Sequence, residues 1–170
     1  NIAPQLAPYG VTVNNVAPGA INTPRNEEAL SDKEFKDRVE LLRKHLPEVA
    51  LTTDIIVGFP GETDKEFECT YEFLKDIKFS KMHVFKYSPR KGTPAATMEN
   101  QIDPQMKQIR SDKLLSLNKE NFAKFAGKFI GQEVEVLIEN YKDGYSYGHT
   151  SNFLYIKTNK KLENNTFNKI

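Results

Sequence analysis

The order of elements between Ser31 and Tyr87 restricts this chain more than any other feature. Leu51–Val57 is a mostly apolar run rich in Thr and Ile, the pattern of a strand buried on both faces. It ends in the tight turn Gly58-Phe59-Pro60-Gly61. Thr63 with Glu66 then makes a capping box, and Phe67, Thr70, Tyr71 and Leu74 carry a helix to about Ile77. Lys81–Tyr87 reads as a second strand. An earlier helix opens at Ser31, with Glu34 three residues on and Phe35, Val39, Leu42 and Leu46 along one face, and Pro47 stops it. Helix, strand, helix, strand with connections this short implies parallel pairing and right-handed crossovers.

The flanking segments differ in character. Four of the nine prolines, Pro4, Pro8, Pro18 and Pro24, fall in the first 25 residues, around a short alternating strand at Val11–Val16 that runs into Pro18-Gly19. Ser88–Asn100 is an extended loop. Asp103 and Pro104 occupy the N-cap and first position of a long helix reaching about Ala126, with Gly127 as its stop. The period then changes to two: Val134, Val136 and Ile138 alternate with Glu133, Glu135 and Glu139. Asp143-Gly144 is a hairpin turn, Phe153–Ile156 a further strand, and Asn164–Ile170 ends where one more strand is expected. The chain divides into residues 1–30, an α/β unit over 31–126 and a β module over 127–170.

Composition narrows the function. With 38% apolar and 28% charged residues the chain can bury a core, and a net charge of +1 excludes a globally basic nucleic-acid binder while allowing a local basic face. No apolar run is long enough to cross a bilayer, and the start lacks the order of a signal peptide, so the expected location is cytoplasmic, with no membrane partner. Cys69 is the only cysteine, short of the thiolates an iron–sulfur cluster takes.

The Gly58–Thr63 loop lies where a strand enters a helix, a place that suits an anion or a closely approaching ligand, and equally suits a plain turn before a capped helix. The loop Tyr87-Ser88-Pro89-Arg90-Lys91-Gly92-Thr93-Pro94 should open on the same rim, where Arg90 and Lys91 suit phosphate or carboxylate, or solvent. Lys107, Arg110 and Lys113 form a basic stripe on the long helix, read as a solvated face. His83 and His45 have no companion ligands, so no metal role follows. His149, with Tyr145, Tyr147 and Asn152, suits stacking on unpaired bases or an ordinary hairpin. No catalytic constellation stands out.

Two resemblances add to this reading. The stretches Leu51-Thr52-Thr53-Asp54-Ile55-Ile56-Val57-Gly58-Phe59-Pro60-Gly61-Glu62-Thr63 and Phe85-Lys86-Tyr87-Ser88-Pro89-Arg90-Lys91-Gly92-Thr93-Pro94-Ala95, followed by Asp143-Gly144-Tyr145 through Gly148-His149-Thr150, resemble the C-terminal half of the MiaB/MtaB-type radical-SAM tRNA methylthiotransferases with their terminal TRAM module. The likeness runs from about Asp32 and is nearest the subgroup that modifies threonylcarbamoyladenosine beside the anticodon. Leu6–Pro24, in contrast, resembles the late strand of a short-chain dehydrogenase, with Pro18, Gly19 and Thr23 in its nicotinamide-side turn. That family's glycine-rich turn and Tyr-x-x-x-Lys pair have no counterpart here.

The first resemblance implies an α/β fold, a partial parallel (β/α) barrel followed by a small antiparallel β-barrel-like module. It implies a partial, weak S-adenosylmethionine rim at Asp54, Gly58, Pro60, Gly61, Glu62, Ser88 and Arg90. It also implies an RNA-docking surface at Lys142, Tyr145, Tyr147, His149 and Asn152 for a tRNA anticodon stem-loop. The family's [4Fe-4S] clusters have no ligands in this sequence, because the CxxxCxxC motif is absent. The chain is therefore expected to be a fused, truncated piece, inactive alone, that docks tRNA and self-associates through open sheet edges. The alternative is a scaffold joined from unrelated pieces, and a dehydrogenase piece is third.

Overall fold

The computed structural model describes residues 31–170, so the strand expected at Val11–Val16 and the dehydrogenase-like segment lie outside the described residues. Helix α1 (Asp32–His45) is followed by strand β1 (Thr52–Val57), helix α2 (Asp64–Ile77) and strand β2 (Lys81–Lys86). A 3₁₀ turn at Pro94–Thr97 leads to the long helix α3 (Pro104–Gly127), and strands β3 (Glu135–Lys142), β4 (Tyr145–Thr150), β5 (Tyr155–Thr158) and β6 (Phe167–Lys169) complete the chain.

Both capping boxes form as expected. Ser31 and Glu34 close on each other at the start of α1, and Thr63 and Glu66 do so at the start of α2. Strands β1 and β2 pair in parallel, Thr52 opposite Lys81 through Val57 opposite Lys86. Val57 and Met82, with Ile55 and Val84 beside them, pack against α2 and α3, and Leu74, Ile77 and Leu114 complete this core.

One expectation needs correction here. The apolar run Leu51–Val57 predicts burial on both faces, but the helices cover one face only. Asp54, Ile56, His83 and Phe85 lie on the other, with Ile56 51% and Phe85 53% exposed. Among the described residues the parallel sheet has two strands and nothing stands across from that face, so the partial barrel expected is represented by this pair and no full barrel is seen.

The β module is an antiparallel half-barrel in the order β5-β4-β3-β6. Asp143 and Gly144 both take positive φ in the β3–β4 turn, as a two-residue hairpin demands. Val136, Ile138 and Ser146 are fully buried inside. Gly148 lies so close to β3, beside the register shift between Ile138 and Asn140, that a Cβ there would meet the Leu137 carbonyl oxygen at 2.0 Å. The strand expected at Phe153–Ile156 begins two residues later. Thr150 is the reason: its hydroxyl accepts from the Leu154 N–H and its carbonyl from the Phe153 N–H, folding Phe153 into a turn at φ 62°. Asn164–Ile170, where the sequence ran out, supplies β6, paired with β3.

Candidate functional site

At the carboxyl ends of β1 and β2 the rim is built from the inside. Gly58 takes φ 72° and its N–H donates to the Glu62 carboxylate at 2.6 Å. A Cβ on Gly58 would fall 2.3 Å from Cγ of Lys107, so the space above this glycine is filled by α3. Lys107 Nζ donates to the Tyr87 carbonyl at 3.1 Å and sits 5.0 Å from the Tyr87 ring centroid. Arg110 is 3% exposed. Its Nη1 donates to the Glu62 carboxylate at 2.6 Å and to the Glu62 carbonyl at 3.0 Å, and its Nη2 to Asp64 at 2.6 Å. Burial pulls the proton affinity of Arg110 down, and the hydrogen bonds to Asp64 and Glu62 outweigh it, so the net shift is upward.

This overturns the reading of Lys107, Arg110 and Lys113 as a solvated stripe. Helix α3 lies across the sheet with those positions facing the rim loops, so two of the three charges are buried and partnered. Lys113 is partly exposed, 2.6 Å from Glu68 and 4.1 Å from the Tyr71 ring centroid.

The seven rim residues do not converge. Gly58 and Pro60 are buried in packing and Glu62 faces Arg110 rather than a ligand. Gly61 is exposed, its N–H held by the Asn100 carbonyl at 3.0 Å. Asp54 lies on the open face of the sheet. Ser88 and Arg90 share a groove of about 480 Å³ with Ile56, Phe85, Tyr87 and Thr93. The described residues therefore form no partial S-adenosylmethionine site. Cys69, exposed on α2, is the one thiol, and the residues present do not fit an iron–sulfur cluster.

The β module presents a different surface. Alternation in β4 sends Ser146, Gly148 and Thr150 inward and Tyr145, Tyr147 and His149 outward. Register then sets Tyr155 beside His149 and Lys157 beside Tyr147. The Tyr147 and Tyr155 rings stack at 5.8 Å, His149 lies 4.9 Å from Tyr155, and Lys157 Nζ sits 3.7 Å from the Tyr145 centroid. His149 Nδ1 is 2.9 Å from the Glu139 carboxylate, which fixes the ring. Phe153, 81% exposed, continues the row 6.4 Å from His149. Aromatic faces with a lysine among them suit stacked bases and a phosphate backbone.

Of the residues expected on this surface, Tyr145, Tyr147 and His149 come together, and Lys142 pairs with Tyr145 at the hairpin end. Asn152 does not join them. Its Oδ1 accepts from the Thr150 hydroxyl and its Nδ2 donates to the Glu48 carbonyl at 3.1 Å, tying the module to the α1–β1 loop. Sequence reasoning missed Phe153, Tyr155 and Lys157. Their signal was the cross-strand register, hidden by starting β5 two residues early.

No family model matches the chain. Curated relatives do. Threonylcarbamoyladenosine tRNA methylthiotransferase MtaB of Bacillus subtilis is 41% identical over 72% of this chain and 28% of its own length. The tRNA-2-methylthio-N(6)-dimethylallyladenosine synthase of Protochlamydia amoebophila is 46% identical over 65% of this chain and 25% of its own length. Ribosomal protein uS12 methylthiotransferase RimO of Clostridium perfringens is 40% identical over 69% of this chain and 26% of its own length. The chain is thus a homologue of the methylthiotransferases over roughly two thirds to three quarters of its residues, and it spans about a quarter of the length of the relatives it matches.

Proposed function

We propose that this chain is the C-terminal part of a tRNA methylthiotransferase of the threonylcarbamoyladenosine type, whose β module docks the anticodon stem-loop. The observation that carries the reading is the outward row Tyr145, Tyr147, His149, Tyr155 and Phe153 with Lys157 among the rings. Two of the relatives named above act on tRNA adenosines, which supports an RNA target. The groove at Ser88 and Arg90, with Asp54 on the adjoining open face, is the part of the rim left open to a substrate. Gly58, Pro60, Gly61 and Glu62 shape that rim through their packing and their contacts with Lys107, Arg110 and Asn100. The chemistry of the iron–sulfur clusters and S-adenosylmethionine comes from outside these 170 residues, since a single thiol holds no cluster.

Fluorescence anisotropy with a labelled anticodon stem-loop tests the docking role. Affinity should fall steeply with salt, and Tyr147→Ala or Tyr155→Ala should each weaken binding by about 1–3 kcal/mol. Affinity no greater than that of a charge-matched control protein would favour the scaffold reading instead.

The face and edges of the β1–β2 pair, uncovered among the described residues, support a second element of this reading, self-association. Unpaired strand edges beside exposed Ile56 and Phe85 are a template for another chain.

A further inference from the structure

The end of the α/β unit opposite the rim carries a second concavity of about 160 Å³, framed by the ends of α1, α2 and α3. Four cations line it, Arg43, Lys78, Lys124 and Lys128, and Asn121 forms part of its floor. Asn121 is 4% exposed, and its Nδ2 has no hydrogen-bond partner among the described residues. A buried amide donor left unpaired is costly, so this corner favours a hydrogen-bond acceptor. Arg43 is pinned over the pocket by one nitrogen, Nη2, which donates to the carbonyls of Ile77 at 2.6 Å and Lys78 at 2.9 Å.

The charge balance favours an anion. Three helix C-termini end near the pocket, each contributing roughly half a negative charge, and together with Glu40 near Arg43 and Glu120 near Lys124 they leave the four cations only a small excess. Glu120 lies 4.0 Å from Lys124 but is well exposed, and Asp76, on the last turn of α2, is engaged by Lys36 at 2.7 Å.

Position identifies the source of the anion. Pro47 and Val49 line the pocket, and the carbonyl of Glu48 between them receives the hydrogen bond from Asn152. Asn152 adjoins Phe153, the last ring of the aromatic row. The pocket therefore adjoins the loop to which the end of that row is tied.

We propose that this pocket binds a backbone phosphate of the RNA strand whose bases stack on Tyr147, Tyr155 and Phe153. The inference rests on the RNA-docking reading above. Lysine point charges and a half-held guanidinium suit a phosphodiester that arrives from one side, without base discrimination.

The test is anisotropy across a salt series with the full chain and a single-stranded RNA spanning an anticodon loop. Lys124→Gln and Lys128→Gln are compared with Lys119→Gln, a same-charge control on α3 outside the pocket, and with Tyr155→Ala. The expected result is a salt slope reduced by about 0.7 for each pocket lysine removed, with affinity lowered alike for every sequence, and no slope change for Lys119→Gln beyond the general charge effect. Pocket variants that match Lys119→Gln while Tyr155→Ala weakens binding would overturn the pocket and leave RNA docking standing. Wild-type chain that binds no RNA would overturn both. In that case a titration with inorganic phosphate, followed at the Asn121 side-chain amide by NMR, shows whether the pocket takes a free anion instead.

Discussion

At Arg110 a single guanidinium ties the first turn of α2 to the middle of α3 and, through Glu62, to the N–H of Gly58. Removing it would leave the Glu62 carboxylate, 17% exposed, without its cation. Arg110→Ala should therefore cost about 3 kcal/mol in urea unfolding, the low end for a broken buried pair because Asp64 stays in water. Arg110→Lys should recover only part of that, since an ammonium cannot span both carboxylates with a rigid fork. None of this was legible from the stripe Lys107, Arg110, Lys113. Spacing along a helix tells which residues share a face, but not whether that face meets solvent or a loop about fifty residues earlier in the chain.

Helix starts were the most readable elements, because a capping box is local chemistry. Ser31 with Glu34 and Thr63 with Glu66 each satisfy three donors, two backbone N–H groups and one hydroxyl, within four residues. Thr63→Ala should cost about 1 kcal/mol. The same contacts make both carboxyls stronger acids than usual. The Ser31 hydroxyl and N–H act on Glu34, and the Thr63 N–H and hydroxyl act on Glu66. Their folded proton affinities lie below the ordinary 4.5, so this stabilisation is whole above that pH and is lost as pH falls through the lower folded values. Far-UV circular dichroism from pH 6 to pH 2 should show helix loss confined to the acid limb, shallower in Thr63→Ala. Strand surroundings were less legible than helix ends. An apolar run reports that a strand is hydrophobic, and the number of neighbours that cover it depends on elements far along the chain. In the β module, alternation gave β3 and β4 directly, while the start of β5 turned on one side-chain hydrogen bond from Thr150 that no periodicity records.

For the molecule as a whole, the self-association proposed above is tested at the open face of the β1–β2 pair. Sedimentation velocity should show concentration-dependent association, and Phe85→Glu or Ile56→Lys should shift the chain toward monomer without loss of helix signal, since both side chains point away from the core. A strictly monomeric wild type would remove self-association from the account. The long helix α3 has a different consequence. Its first turns clamp the rim through Lys107 and Arg110, and its last turn delivers the chain to the β module. Twenty-four residues at 1.5 Å each make a rod of about 36 Å. Such a rod works as a ruler: if the aromatic row docks RNA as proposed, a fixed length of helix separates that contact from the rim.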